Sequence, residues 1–384
     1  MQNFEYRNPV KILFGRGQIA RIADEIPASA RVLITYGGGS IRANGVYEQV
    51  KAALAGRHAA EFGGIEPNPD YDTLTRAVAR MRAEKLDYLL SVGGGSVLDG
   101  TKFIAAAVPF QGEPWDLLAK EAPVTAALPI GCVLTLPATG SEMNTMAVIS
   151  RRATGEKLAF GSPLLYPQFS VLDPETTFTL PPRQTANGVV DAFAHVLEQY
   201  LTYPAAAPLQ DRMAEAVLLS LIEDGPRALA NPRDYDARSS VMWSATMALN
   251  GLIAVGVPQD WATHMIGHEI TALHGLDHAQ TLAVVFPGTL AARREPKREK
   301  LLQYAARVWD IRDGDADARI DGAIARTRAF FESLGVPTRL SAYGVGPEVA
   351  REVAARFEKR GWRALGERGD LGPAEVERIL ALCA

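Results

Sequence analysis

The first half of the chain alternates short apolar runs with glycine turns and helically spaced apolar residues. Arg31–Tyr36 runs into Gly37, Gly38, Gly39 and Ser40, and Tyr88–Val92 runs into Gly93, Gly94, Gly95 and Ser96. Between them Asn68 and Pro69 supply a helix cap and a first-turn proline, and Leu74, Ala77, Val78 and Met81 follow at the spacing of one helix face. Further strands are predicted at Gly131–Leu136 and Phe169–Leu172. Strand, crossover helix and strand in repeated order imply a parallel sheet with helices on its faces. After Asp173 and Pro174 the strand-like runs fade. Apolar positions then fall at helical spacing, as at Met213, Val217 and Leu221 and through the long stretch Leu301–Leu334. The pattern predicts an α/β domain over residues 1–180 and an all-α domain over residues 181–384, divided near Leu180, Pro181 and Pro182.

A length of 384 residues agrees with two domains, and 47% hydrophobic with 22% charged residues leaves no long stretch that reads as disordered. The net charge of −4 argues against a nucleic-acid partner. Its one basic run, Arg293–Lys300, is interrupted by Glu295 and Glu299 and reads as a solvated helix start. No run approaches the roughly 18 apolar residues of a membrane span. Met1–Tyr6 has neither the basic start nor the apolar core of a signal peptide, and Cys132 and Cys383 do not make a disulfide framework. A cytoplasmic location is expected, with no membrane partner.

Histidine placement adds chemistry to this picture. Five of the six histidines lie in the second half, four of them between His264 and His278, and the fifth, His195, stands four residues after Asp191. Asp191 and His195 therefore share one helix face, as do His264 and His268. His278 lies fourteen residues beyond His264, roughly 21 Å along a straight helix, so the two reach one ion only if the chain turns back. Gly275 is the natural break. Any one of these imidazoles taken alone fits a hydrogen-bonded core residue. A carboxylate and several imidazoles in an apolar setting read together as a metal site, because burying them unpaired is costly. Spacing does not choose which histidines bind. A zinc-protease helix is excluded, since His268 and Glu269 would need a histidine where Ala272 stands. Glu198, on the Asp191 face, is either a substitute ligand or a residue behind the ligands or at the surface.

The two Gly-Gly-Gly-Ser turns suit close approach of backbone N–H groups to phosphate. Neither matches the usual dinucleotide fingerprint, whose third glycine would fall at Arg42 or Leu98, and each also fits a plain strand-to-helix turn. Gly95–Lys102 has phosphate-loop spacing, but Thr101 and Lys102 are in reversed order and Asp99 would set a carboxylate beside phosphate, which excludes nucleotide hydrolysis. Two such turns beside a metal domain point to nucleotide binding in the cleft between the domains. A free ribose 2′-hydroxyl usually meets an acidic residue at the first turn. Residues 37–40 carry none and Arg42 is close by, which favours NADP(H) over NAD(H).

Gly93–Lys102, Leu134–Glu142 and the spacing of Asp191, His195, His264 and His278 together resemble the iron-containing alcohol dehydrogenase family, essentially end to end. The resemblance is strongest to its bacterial NADPH-dependent aldehyde reductase branch, related to butanol dehydrogenases, through Leu33–Ser40, Gly64–Pro69 and Val257–His264. It implies a dehydroquinate-synthase-like architecture, an α/β N-terminal nucleotide-binding domain followed by an all-α C-terminal metal-binding domain, and a divalent ion held by Asp191, His195, His264 and His278. It also implies that His268 lies beside the ion near the nicotinamide and that His274 is peripheral. Gly94, Gly95 and Ser96 would hold the pyrophosphate, with Asp99 beside the cofactor. Thr135, Thr139 and Lys157 would line the nicotinamide side, and Thr179 would contact the adenosine half. Asn68 and Asn144 join Gly37, Gly38, Gly39 and Ser40 in the expected set of cofactor contacts. Where the family carries a second threonine after Thr135, this chain has Leu136, a departure the aldehyde reductase branch shares.

The expected reaction is reversible hydride transfer between NADPH and a small to medium aldehyde or primary alcohol, with the metal as Lewis acid and a proton delivered by water or a relay that includes His268. Three nitrogens and one oxygen suit zinc or iron. Trp261, Phe160 and Met143 are candidates either for an apolar pocket or for core. A homodimer is expected. Competing readings are an NAD-dependent polyol dehydrogenase of the glycerol type, a dehydroquinate-synthase-like lyase, a nonredox metal hydrolase, and a nucleotide-binding protein with a structural metal.

Overall fold

In a computed structural model describing residues 1–384, eight strands fall within the first half of the chain: β1 (Lys11–Phe14), β2 (Arg31–Tyr36), β3 (His58–Phe62), β4 (Tyr88–Gly94), β5 (Ile130–Leu136), β6 (Met146–Arg151), β7 (Glu156–Gly161) and β8 (Phe169–Leu172). Six of them form a parallel sheet in the order β1-β8-β5-β4-β2-β3, and β6 and β7 form an antiparallel hairpin. Helices α1 (Ile22–Glu25), α2 (Ser40–Ala43), α3 (Val46–Ala53), α4 (Tyr71–Glu84), α5 (Gly95–Ala107) and α6 (Asp116–Ala119) connect them. The central strands read as unbroken apolar runs because both sheet faces are covered. Leu33, Leu89, Cys132 and Leu134 feed one core, while Val32, Ile34, Leu90 and Val133 feed the other.

Helix α4 starts later than the sequence pattern suggests. Asp70, not Asn68, caps it by accepting from the Asp72 backbone N–H, and Asn68 takes a left-handed φ of 54°. That conformation turns the Asn68 side chain to other work, described below. Strands β1 and β3 and the β6–β7 hairpin carry no long apolar run and were not part of the sequence expectation.

The helical unit contains α7 (Pro182–Tyr200), α8 (Pro208–Ala230), α10 (Ala262–His274), α11 (His278–Ala292), α12 (Arg298–Arg307), α13 (Ala316–Ser333), α14 (Val349–Arg360) and α15 (Pro373–Ala381), whereas α9 (Tyr235–Ala248), between α8 and α10 in the chain, belongs to the α/β unit up to Thr246. Pro182 at the first turn of α7 lacks the N–H that would be orphaned there. From Gly188 to Tyr200 every residue of α7 is buried, as befits a central helix. It packs on α8 and α11, and α11 also touches α10, α13 and α15. The stretch Leu301–Leu334 is two helices, not one. Asp310 and Gly314, at φ values of 53° and 96°, reverse the chain before Asp315 caps α13.

The chain divides between Leu180 and Pro181, with two exceptions: Asn231–Thr246 belongs to the α/β unit and Met1–Tyr6 to the helical one. Thr246 Oγ1 donates to Glu142 Oε1 at 2.6 Å, and the Trp243 ring meets the Phe14 ring edge-on at 5.9 Å. Gln2 N–H donates to the Gly256 carbonyl. Periodicity cannot register such distant contacts. No helix is long and apolar enough to cross a membrane.

The basic run is not solvated as its composition suggested. Arg293, Lys297 and Lys300 are buried, paired with Asp370, with Asp260 and Glu367, and with Asp211 respectively. Arg293 closes α11, Lys297 stands at the N-cap of α12 and Lys300 lies in its first turn, so all three side chains turn inward at the junction of the two helices.

Candidate metal centre

Helix α7 carries Asp191 and His195 one turn apart in its fully buried half, at 3% and 4% exposure. A carboxylate in such surroundings costs several kcal/mol unless a cation compensates it. Helix α10 brings His264 and stops at His274, where Gly275 adopts the left-handed φ of 72° that lets the chain reverse. Asp277 then caps α11 in a reciprocal box with Gln280, leaving His278 as the first helical residue. Asn187, one turn before Asp191 on α7, donates from Nδ2 to Asp277 Oδ2 at 2.8 Å. That bond ties the start of α11 to α7 and fixes where His278 enters.

The turn brings together what the sequence separates. Asp191 Oδ1 lies 3.5 Å from His278 Nε2 and 3.9 Å from His195 Nε2. The His195 and His264 rings stack at 4.7 Å, and the His264 and His278 rings meet at 5.2 Å. One donor atom from each of the four residues lies within 4.8 Å of all the others. A tetrahedral ion with bonds of about 2.1 Å has ligand–ligand edges of about 3.4 Å, so the set closes on one ion by side-chain contraction of about 1 Å at its widest edges. Three imidazoles and one carboxylate are also the donor chemistry a borderline divalent metal accepts. The residues fit the group.

Glu198 is neither a fifth member of this set nor a surface group. It is 2% exposed, and its Oε2 stands 3.2 Å from His264 Nδ1, which leaves His264 Nε2 for an ion. Burial, with the charge of Asp260 added, pushes the Glu198 carboxyl well above the ordinary range. His268 is buried with its ring 5.2 Å from that of His278 and 6.4 Å from that of His264, beside the four donors. The next residue, Glu269, is gripped by Arg356 and Arg360 of α14. His274 is exposed at the end of α10. Trp261 sets its ring 5.2 Å from His264 and 6.3 Å from His195, whereas Phe160 packs on Phe103 in the α/β core and Met143 is half-buried.

In the α/β unit, the second glycine turn is crowded from within. A Cβ on Gly93 would stand 2.6 Å from Val97 Cγ2, and one on Gly95 would stand 2.4 Å from Thr139 Oγ1. Helix α5 begins at Gly95, so its first N–H groups point out of the turn. Ser96 Oγ accepts from Asn68 N–H, and Asn68 Oδ1 accepts from Lys157 Nζ at 2.9 Å, linking the turn to the hairpin. Thr135 is buried and Thr139 half-buried at the end of β5. The first turn differs, since a Cβ on Gly38 or Gly39 meets nothing within 4 Å. Thr179 is exposed across from Asn44, whose Nδ2 donates to it at 3.4 Å.

One acidic residue near this first turn escaped the sequence reading. Glu61 of β3, aligned with Ile34 of β2, reaches Arg42 Nη2 at 2.6 Å. Arg42 Nη2 also donates to Tyr36 Oη at 2.9 Å, and the guanidinium lies 4.2 Å above the Tyr47 ring. Partial burial works to raise the Glu61 carboxyl, but the Tyr47 hydroxyl and the charges of Lys51 and Arg42 outweigh it and hold Glu61 below the usual range. The signal available was the segment His58–Phe62 itself, too short and mixed in polarity to register as a strand.

Known proteins match this chain along nearly its whole length. The family model described as iron-containing alcohol dehydrogenase matches residues 9–174, and its C-terminal counterpart matches residues 185–368. The chain is 59% identical over 376 residues to the NADPH-dependent aldehyde reductase YqhD of Escherichia coli, covering 97% of each chain. It is 41% identical over 386 residues to the probable NADH-dependent butanol dehydrogenase 1 of Bacillus subtilis, covering 99% of each. The crystal structure of NADH-dependent butanol dehydrogenase A from Thermotoga maritima superposes with a TM-score of 0.95 at 36% identity, over 100% of this chain and 99% of that one.

Proposed function

The chain belongs to the iron-containing alcohol dehydrogenase family, and from that premise we propose that it is a metal-dependent aldehyde reductase and alcohol dehydrogenase, moving hydride reversibly between NADP(H) and small to medium aldehydes or primary alcohols. The observation that carries this reading is the convergence of Asp191, His195, His264 and His278 within 4.8 Å. These four residues are assigned to a single zinc or iron ion. When bound, the ion supplies Lewis acidity and NADPH supplies the hydride. Neutral imidazoles leave the single Asp191 charge as the only anionic donor, so the site favours the negative charge that develops on the carbonyl oxygen. His268 is assigned the proton: an imidazole nitrogen holds it beside the four donors and releases it to the product oxygen.

Nucleotide binding is assigned to residues 1–180 and metal binding to residues 181–384. Gly94, Gly95 and Ser96, at the start of α5, take the pyrophosphate through backbone N–H groups. Gly37, Gly38, Gly39 and Ser40 take the adenosine ribose with Thr179 nearby, and Arg42 faces its 2′-phosphate. Asn68, Thr135, Thr139, Asn144 and Lys157 serve the nicotinamide side, with Asp99 behind them. A cytoplasmic homodimer completes the reading, supported by β1, which lies at one end of the sheet and leaves Phe14 39% exposed.

Glu61 favours a second reading, in which NADH competes, because its carboxylate offsets part of the Arg42 charge. Following absorbance at 340 nm with butyraldehyde and each cofactor, on protein whose metal content is measured, separates the two. Turnover with NADPH at about one metal per chain is expected, in line with four ligands closing on one ion. Turnover with NADH alone would replace the NADP(H) assignment, and metal-free protein at full activity would overturn the mechanism.

A further inference from the structure

Lys102 shares a face of α5 with Asp99, three residues before it, and is wholly buried. An ammonium has three protons to donate. Here all three are engaged by the protein: Nζ donates to the Asn144 carbonyl at 2.9 Å, to Asn144 Oδ1 at 3.1 Å and to the Met146 carbonyl at 2.9 Å. No proton is left for a phosphate. The Asp99 carboxylate is likewise committed, Oδ1 accepting from Ser141 Oγ at 2.7 Å and Oδ2 from Val148 N–H at 3.0 Å. Glu142, on the same turn and fully buried, accepts from Thr246.

We propose that Lys102 and Asp99 are positioning residues that grip the turn between β5 and β6 from inside and so set the nicotinamide side of the cofactor site without touching the cofactor. The turn from Thr139 to Thr145 has one large apolar side chain, Met143, and therefore lacks an apolar anchor. Polar anchors must replace it. Asp99 holds the turn at Ser141 and the adjoining strand β6 at Val148, and Lys102 holds the stretch between them at Asn144 and at Met146, the first residue of β6. What they fix includes Thr139, Asn144 and, through the hairpin, Lys157. A buried ammonium is costly to maintain, and burial pushes Lys102 down to about 8 against the opposing pull of Asp99 and Glu142. A surface lysine would serve a phosphate better. The inference rests on the NADP(H) reading above.

The test is isothermal titration of the metal-loaded enzyme with NADPH and with 2′-phospho-ADP-ribose, which keeps every phosphate and lacks the nicotinamide. In Lys102→Met the NADPH Kd should rise about tenfold, the size of one or two hydrogen bonds lost at the nicotinamide side, while the 2′-phospho-ADP-ribose Kd stays within about twofold. Metal content should not change. Equal weakening of both ligands would mean that Lys102 meets phosphate, and no weakening of either would mean that the turn does not depend on it. Both outcomes overturn the proposal. Should Lys102→Met not fold, Ser141→Ala removes one hydroxyl from Asp99 and should show the same selectivity at about threefold. Unaltered NADPH binding there overturns the proposal too. Wild-type enzyme that binds NADH but not NADPH would instead overturn the cofactor reading.

Discussion

At the scale of single side chains, the proposed metal and cofactor roles separate by substitution. His278→Ala takes one of four donors from the ion and should remove most bound metal and nearly all turnover. His274→Ala, at an exposed helix end, should change neither; metal analysis of the two purified variants checks this. Glu198→Gln should weaken metal binding by about tenfold or more in competition with a chelator, because an amide behind His264 Nδ1 does not orient that imidazole as the carboxyl oxygen does. At the cofactor end, Gly38 has open space around its missing Cβ, so Gly38→Asp fits without displacing anything. Its carboxylate should repel a 2′-phosphate by on the order of 1 kcal/mol or more, moving the kcat/KM ratio toward NADH by roughly tenfold. Steady-state kinetics with both cofactors measures the ratio, and an unchanged value would show that this turn does not face the 2′ position. That a metal group was to be sought among these residues was legible because aspartate and histidine in an apolar run are costly without a partner; which histidines belong to it came only from the family resemblance. Glu61 was not, because it reaches Arg42 across a strand pair that no local pattern announces.

Elements were legible where one period ruled and illegible where tertiary contacts overrode it. Arg31–Tyr36 and Phe169–Leu172 are strands with the bounds their apolar runs suggest, since a strand covered on both faces is mostly apolar, its buried Thr35 and Ser170 spending their hydroxyls on hydrogen bonds. The strands β1 and β3 end the sheet, each with a neighbour on one side only, are less buried than the central strands and carry no such run. Gly275 was legible as a helix break, being the residue type that tolerates the φ of 72° found there. The stretch Arg293–Lys300 does hold a helix start, at Arg298, but Arg293, Lys297 and Lys300 are buried on acidic partners that lie far away in the sequence, which composition does not reveal. Lys297 shows the energetic weight of that burial. Its ammonium sits 2.8 Å from Asp260 and 2.9 Å from Glu367 with almost no exposure, so Lys297→Ala would leave two buried carboxylates facing each other without their cation. Urea unfolding should register a loss of about 3–5 kcal/mol, against a few tenths for the truncation of an exposed lysine. A loss of the smaller size would mean that water enters and solvates the acids.

At the scale of the whole molecule, the assignment of Asn231–Thr246 and Met1–Tyr6 to their units leaves no trace in the period of the chain, because contacts such as Thr246 with Glu142 span a hundred residues. The metal assignment has a consequence at this scale. Asp191 and His195 come from α7, His264 from α10 and His278 from α11, so a bound ion joins three helices at the centre of the helical unit. The unfolded chain scatters those donors over 88 positions between Asp191 and His278 and holds the ion poorly. Binding to the folded state alone adds stability of RT ln(1 + [L]/Kd), about 2.7 kcal/mol at a hundredfold excess over Kd. In a chain of this size that should lift the thermal midpoint by several degrees, on the order of 5 °C. Calorimetry before and after chelation, then after adding back zinc or iron, measures the shift in the absence of cofactor and substrate. His278→Ala should melt at one temperature in all three conditions, being unable to close the site. Equal melting of chelated and metal-loaded wild type would mean that the four residues hold no ion, and the catalytic reading would fall with them.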